Sequence, residues 1–138
     1  IKQTIHFFNK NQINKLLYIC KKKLNTNGKI IILSLDPKKN EIPAFNLMKK
    51  KLKKSLIRDE SYFNLIIKNN PKTIIRNFIF SVRISKTKYL QMIKDRYIST
   101  LLNFSDKQIS DGLIEIRNKY KKELKFKDRL ICLIIKNN

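Results

Sequence analysis

A polar and aromatic run near the start of the chain contains its only histidine, His6, with Gln3, Thr4 and Phe7 around it. An imidazole with an ordinary pKa of about 6.5 can orient a reacting group or take a proton from it near neutral pH. A histidine in an apolar and aromatic loop can also line a pocket or hold the loop through a hydrogen bond. The residue types leave these three roles open.

Two other places carry polar groups suited to contact with a substrate. Asp36 directly follows an apolar run, where its carboxylate could bind a substrate or cap the turn that follows. Arg96 could bind a carboxylate or phosphate through its planar guanidinium, or form a surface ion pair with Asp95 or Glu115. No carboxylate pair and no Ser/His/Asp arrangement is apparent in the sequence, which counts against a hydrolase.

The cysteines and the hydropathy pattern bear on the compartment. Cys20 and Cys132 lie inside apolar runs rather than at CxxC or CxH spacing, which favours buried free thiols in a reducing compartment over zinc or a disulfide. No apolar run approaches the roughly 20 residues that span a bilayer, and the start has no signal-peptide pattern. We therefore expect a soluble, cytoplasmic protein with no metal site and no membrane partner.

The elements that position these residues follow an α/β pattern. Apolar residues recur at i, i+3, i+4, i+7 and i+11 from Ile13, which predicts an amphipathic helix capped by Asn9 or Asn11 and ended at Gly28. The apolar run Lys29–Leu35 then predicts a strand buried on both faces, as strands between two helix layers are.

Helical periodicity continues through the middle of the chain. It predicts helices over residues 45–69, 86–94 and 96–103, and a further helix after residue 105. We expect the first of these to break near Arg58 and Asp59. The last should begin with a capping box, in which the side chains of Ser105 and Gln108 satisfy each other's backbone donors.

Two further strands are predicted with different surroundings. Residues 74–84 alternate between apolar and polar side chains, which indicates a half-exposed strand at the edge of a sheet. Residues 128–136 show no alternation at their apolar centre, which indicates a central strand. We therefore expect the last strand to lie between Lys29–Leu35 and the edge strand, and to pair with the edge strand antiparallel.

The positive charge is large but diffuse. The formal net charge is +22, which is sufficient to attract phosphate backbones. Lysine greatly outnumbers arginine, and Lys, Asn and Ile recur throughout, as drift toward A- and T-rich codons would produce. The densest cluster, residues 49–54, interleaves with Met48, Leu52 and Leu56 on one helical face. A solvated helix face with non-specific nucleic-acid binding is our expectation, and an anion-binding surface is the alternative.

Strand order and local motifs together resemble the class I S-adenosylmethionine-dependent methyltransferases, whose seven-stranded sheet ends in an antiparallel hairpin. The run "QTIHFF" is similar to the loop after the family's fourth strand. The run "KKKLNTNGKIIILSLDP" is similar to its following helix end and fifth strand. The segment "RYISTLLNFSDKQISDGLIEI" is similar to a C-terminal insertion in small-molecule members of the type 11-like group.

The resemblance implies a fold and an activity. The fold is α/β, the C-terminal half of a Rossmann-like seven-stranded methyltransferase sheet, with a terminal antiparallel strand pair and a helical insertion over about residues 85–122. All of residues 1–138 would belong to this one domain. The activity implied is transfer of a methyl group from S-adenosyl-L-methionine to a small-molecule acceptor.

The resemblance also implies roles for particular residues. His6 would be the catalytic group that orients or deprotonates the acceptor. The residues beside the cofactor would be Gln3, Thr4 and Phe7. The residues that contact the substrate would be Asp36, Arg96 and Tyr97.

The family's main cofactor-binding features do not appear in this sequence. The family holds its cofactor with a Gly-rich loop and an acidic ribose contact, whereas the only glycines here are Gly28 and Gly112. The chain also opens at Ile1, within what reads as a strand end, so we expect a missing N-terminal half to be its partner and the chain alone to be inactive. The alternative is a small basic nucleic-acid-binding module of ribosomal type, with residues 49–54 and 119–125 on phosphate.

Overall fold

The computed structural model describes residues 1–136, which form three strands in one antiparallel sheet and four α-helices. In chain order the elements are a 3₁₀ turn Ile5–Phe7, α1 Lys10–Lys22, β1 Lys29–Leu35, α2 Asn46–Asn69, β2 Ile74–Ser85, α3 Lys86–Lys94, a 3₁₀ turn Ser99–Leu101, α4 Asp106–Lys119 and β3 Glu123–Lys136. None of these helices is both long enough and apolar enough to span a bilayer.

The strand order is β1-β3-β2, so the last strand lies between the other two, as the sequence predicts. β1 pairs with β3 in an antiparallel register that runs from Lys29 opposite Lys136 to Leu35 opposite Leu130. β3 begins at Glu123, five residues before the predicted start at 128. The first residues of β3 alternate between the two faces of the sheet, with Leu124 buried and Lys125 exposed. The predicted start at 128 was too late because this part of the strand lacks the continuous apolar run on which the prediction was based.

Residues at the chain start add a short parallel pairing to the free edge of β1. Lys2 forms a parallel bridge with Leu33, and the backbone N–H of Leu33 donates to the Ile1 carbonyl at 2.8 Å. The terminal ammonium of Ile1 donates to the Ile31 carbonyl at 2.9 Å. This pairing agrees with the interpretation of Ile1 and Lys2 as the end of a strand.

The chain divides into two compact units. Of the described residues, the first comprises 1–40, 56–79 and 129–136, and the second comprises 41–55 and 80–128. In the first unit, α1 and the second part of α2 pack on the face of β1 that carries Ile30 and Ile32. Ile31 points to the other face and is 52% exposed, so the prediction that β1 is buried on both faces is wrong.

The core of the second unit is built around aromatic side chains. It includes Phe45 from the segment before α2, Tyr89 from α3 and Phe104 from the loop before α4. Gly112 of α4 lies directly against the Phe45 ring, and an added Cβ would come within 2.6 Å of its atoms. Glycine therefore allows close packing of α4 on Phe45.

Helix α2 runs without the break that the sequence predicts near Arg58 and Asp59. Its buried residues recur every three or four positions, as one face of a helix requires: Met48, Leu52, Leu56, Asp59, Phe63 and Ile66. Asp59 therefore occupies a core position of a continuous helix. In the sequence, a charged residue at this position suggests that the helix breaks, although the spacing of the buried residues on α2 continues through it.

The other predicted helices are confirmed, with one exception. α1 and α4 begin with capping boxes, formed by Asn9 with Gln12 and by Ser105 with Gln108. Residues 96–103 form only the 3₁₀ turn Ser99–Leu101, not a helix. Arg96 has φ 55°, a left-handed conformation that ends α3 and prevents the helix from continuing.

Candidate functional site

The loop that carries the histidine leaves the sheet at the carboxyl end of β1. Since Lys2 pairs parallel with Leu33, the residues after Lys2 emerge at the same end of the sheet as Asp36. Gln3 makes this exit with φ 50°, and its backbone N–H donates to the Leu33 carbonyl at 2.6 Å. The loop with His6 and the turn with Asp36 therefore lie at the same end of β1.

His6 lies in the 3₁₀ turn that follows, with its ring against that of Phe7. The two ring centroids are 4.2 Å apart with the planes tilted by 45°. Phe7 is 62% exposed, whereas the Nε2 atom of His6 is buried and has no hydrogen-bond partner within residues 1–136. A buried, unpaired imidazole nitrogen is costly, so it is a natural place for a ligand group to bind.

A buried carboxylate from α2 contributes to the electrostatics of this loop. Asp59 is 6% exposed, and its Oδ1 accepts hydrogen bonds from Nε and Nη2 of the neighbouring Arg58 at 3.2 and 3.1 Å. Burial raises the pKa of the Asp59 carboxyl, while the Arg58 guanidinium and His6 act in the opposite direction. Sequence reasoning missed both residues, although a carboxylate at a core position of the helical stripe was a signal that could have found them.

The pKa of His6 lies below its ordinary value. Burial is the main cause, the carboxylate of Asp59 opposes it, and Arg58 adds to it. The neutral imidazole therefore predominates at neutral pH, with Nε2 able to accept a proton or to form a hydrogen bond. This is the state that a general base requires and also the state of a pocket-lining histidine.

Asp36 is engaged in the turn after β1. Its Oδ1 accepts hydrogen bonds from the backbone N–H groups of Lys38 at 2.9 Å and Lys39 at 3.3 Å. The Asp36 N–H itself donates to the Arg129 carbonyl at 2.9 Å. The geometry thus matches the turn-capping alternative, and contact with a substrate stays a prediction.

Arg96, in the second unit, binds the loop that precedes α4. Its Nη1 donates to the carbonyls of Leu101 and Phe104 at 2.7 Å each, and its Nη2 donates to Asp106 Oδ1 at 2.7 Å. The ion pair is therefore with Asp106 rather than with the two acidic residues considered from the sequence. Three of the guanidinium's five donors hold the protein's own loop.

Tyr97 forms a hydrogen-bonded pair with Tyr89. The two hydroxyl oxygens are 3.1 Å apart, and the Tyr89 hydroxyl donates to the Pro43 carbonyl. Burial raises the pKa of Tyr97, with Tyr89 opposing and the charge of Asp128 adding to the rise. The Oδ1 atom of Asp128 is buried and has no hydrogen-bond partner in the described part of the chain.

The structure thus groups the predicted site residues into two sets. Gln3, Thr4, His6 and Phe7 share one loop of the first unit, and Asp36 lies at the same end of the sheet. Arg96 and Tyr97 are neighbours in the second unit. Over residues 1–136 no group of three or more His, Cys, Asp or Glu side chains could hold a metal ion. Cys20 and Cys132 are free thiols.

Comparison with known proteins adds no family. No protein-family model matches the chain, and no curated protein matches it significantly.

Proposed function

We propose that this chain is the C-terminal part of a class I S-adenosylmethionine-dependent methyltransferase that acts on a small molecule. The observation that carries the proposal is the sheet, in which the last strand is inserted antiparallel between β1 and the edge strand β2. The parallel bridge from Lys2 to the outer edge of β1 supports the same arrangement. A helical segment between β2 and β3 is in keeping with the insertion of small-molecule members.

The loop residues have a simple part in this chemistry. When bound, S-adenosylmethionine supplies a methyl group activated by its sulfonium, so orientation and exclusion of water account for much of the acceleration. His6 would orient the acceptor through Nε2 and, where the acceptor carries a proton, take that proton. Gln3, Thr4 and Phe7 would line the adjoining side of the cofactor.

The glycines limit what this chain contributes to cofactor binding. Gly28 lies in the turn between α1 and β1, and Gly112 lies inside α4 against Phe45. Neither is in a strand-to-helix loop of the kind that approaches a bound nucleotide closely. In this proposal the main cofactor contacts come from a preceding half of the domain.

The test is a polypeptide extended toward the N-terminus along its coding sequence. We expect a strand and a Gly-rich loop about 60 to 100 residues before Ile1, and methyl transfer from labelled S-adenosylmethionine by the extended protein. Calorimetric titration of the present chain should show no tight binding of the same compound. A dissociation constant in the low micromolar range for this chain, about −8 kcal/mol of binding free energy, would contradict the proposal that the main cofactor contacts come from a preceding half of the domain.

A second candidate is a basic nucleic-acid-binding module of ribosomal type. The observation that favours it is the exposure of Lys49, Lys50, Lys53 and Lys54 along one face of α2. Sequence-selective binding that persists at physiological salt would support this candidate over the methyltransferase.

A further inference from the structure

A cleft of about 400 Å³ opens in the first unit beside the carboxyl end of β1. One wall is a stripe of α2 whose residues are spaced i, i+3, i+4 and i+7: Glu60, Phe63, Asn64 and Ile67. The rest of the lining comes from β2, from the turn after β1, and from the β3 residues 129–131; the β2 residues are Ile75, Asn77, Phe78 and Ile79. His6 and Asp59 do not line this cleft, so it is distinct from the histidine loop.

Apolar side chains form most of the inside of the cleft, beside the amides of Asn64 and Asn77, and part of this surface is exposed to water. Phe63 is 2% exposed and forms part of the packed core beneath. Ile75 and Ile79 remain 45% and 55% exposed, although both belong to the lining of a concave surface. A ligand chain that covered these side chains would remove apolar surface from water, which favours binding.

The end of the cleft at the turn after β1 is polar, with more cationic than anionic groups. Lys38, Lys39 and Arg129 line it together with Asp36 and Glu60. The Nζ of Lys38 lies 3.6 Å from Glu60 Oε1, and the Lys38 side chain is 74% exposed, which describes a weak surface pair. The carboxylate of Asp36 already accepts backbone hydrogen bonds. Three cationic side chains against two carboxylates leave this end with a formal charge of +1, which favours a single anion, and the net charge of +22 attracts anions to the whole surface.

We propose that the cleft binds a small amphipathic carboxylate as a free monomer. Its apolar chain lies along Ile67, Ile75 and Ile79, and its carboxylate lies beside Lys38 and Lys39. Binding of the carboxylate in this cleft does not require that the chain belong to a methyltransferase.

The test is a titration with straight-chain carboxylates below their micellar concentrations, followed by calorimetry and by NMR of labelled protein. From hexanoate through octanoate to decanoate, affinity should rise about fourfold per added methylene, the equivalent of about 0.8 kcal/mol, until the cleft is filled. Shifts in the NMR spectrum should centre on Ile67, Ile75 and Ile79. Alkyltrimethylammonium ions of equal chain length should bind at least about tenfold more weakly.

Matched variants distinguish binding in the cleft from non-specific attraction of the carboxylate to the positively charged surface. Ile79→Asn should weaken decanoate binding by about tenfold or more, while Ile57→Asn should not, because Ile57 is 61% exposed on α2 outside the cleft. Lys39→Glu should weaken binding, while Lys54→Glu makes the same charge change on the exposed face of α2 and should not.

Several results would overturn the proposal. These are the absence of a dependence on chain length, equal affinity for the cationic amphiphiles, equal loss in the two members of either variant pair, and association with carboxylate-bearing vesicles but not with monomers. The NMR map of the unaltered protein decides the question independently of how well any variant folds.

Discussion

The environment of single side chains decides what the histidine loop can do. The Nε2 atom of His6 is buried and has no hydrogen-bond partner among residues 1–136, and the residues that act on the charge of the ring, Arg58 and Asp59, lie on α2. His6 could be recognised as a candidate site residue from the sequence, because it is the only histidine and lies in an aromatic loop. Its two charged neighbours are 52 and more positions away along the chain, so only the folded structure brings them together.

The protonation of His6 can be measured without ambiguity, since the chain has one histidine. Its imidazole NMR signals should titrate with a pKa below 6.5, because burial disfavours the charged ring. Asp59→Asn should lower that pKa further by removing a nearby negative charge. Arg58→Gln should raise it. A pKa at or above 6.5 in the unaltered protein would contradict the expectation that burial outweighs the attraction of the Asp59 carboxylate.

The same shift predicts a dependence of stability on pH. Because the folded pKa of His6 is depressed, the unfolded chain binds the proton more readily over the window from 6.5 down to the folded pKa. The free energy of unfolding should therefore fall as the pH is lowered through that window. Urea denaturation at several pH values would measure this. In the variant His6→Gln that part of the pH dependence should disappear.

Substitution of Arg96 tests whether this residue, predicted to contact the substrate, stabilises the fold instead. Arg96→Lys keeps the charge but cannot reach the Leu101 and Phe104 carbonyls together, so we expect about 2 kcal/mol less free energy of unfolding. Asp106→Asn should have a much smaller effect, because the Asp106 side chain is fully exposed. Urea denaturation of both variants gives the comparison. An Arg96→Lys protein of unchanged stability would favour the substrate-binding role instead.

For helices and strands, the hydrophobic pattern of the sequence predicted the order of strands in the sheet better than it predicted which faces are buried. The contrast between the alternating residues of β2 and the apolar run of β3 correctly placed β3 in the centre of the sheet. The same criterion failed for β1, because a continuous apolar run does not say how many helix layers cover the strand. It also failed at Asp59, where the charge of one residue outweighed the unbroken spacing of its apolar neighbours on α2.

Gly112 shows how closely an element can be fitted to its neighbour. In an exposed helix, alanine in place of glycine adds about 1 kcal/mol of stability. Here a Cβ would meet the Phe45 ring at 2.6 Å, so we expect Gly112→Ala to destabilise the protein by about 1 to 3 kcal/mol. Thermal and urea denaturation would measure the change.

Two further variants control this prediction. Ser110→Ala, at an exposed position on the same helix, should be neutral or slightly stabilising. Phe45→Leu combined with Gly112→Ala should lose less stability than the sum of the two single changes, because the smaller side chain gives the new methyl group room. Simple additivity would mean that the clash is relieved by movement elsewhere.

For the whole molecule, charge dominates the behaviour in solution. The chain has 32 lysine and arginine residues against 10 acidic residues. If the lysines are a solvated surface without a specific partner, oligonucleotides of unrelated sequence should bind equally well. Affinity should fall about a thousandfold between about 50 and 200 mM salt if roughly six phosphates are neutralised. Filter binding over a salt series would measure this slope, and selectivity that survives at the higher salt would support the nucleic-acid-binding candidate.

The high positive charge also opposes association of molecules through the outer edge of β2. The strand is 12 residues long, lies at the end of the sheet, and exposes Phe78, Ile79 and Phe80 to between 45% and 55%. Such an edge can pair with the same edge of another molecule, and mutual repulsion between highly cationic copies opposes that encounter. Screening shortens the reach of the repulsion from about 10 Å at 0.1 M salt to about 3 Å at 1 M. Concentrated salt should therefore convert a clear solution into a turbid one, and Phe80→Lys should keep it clear.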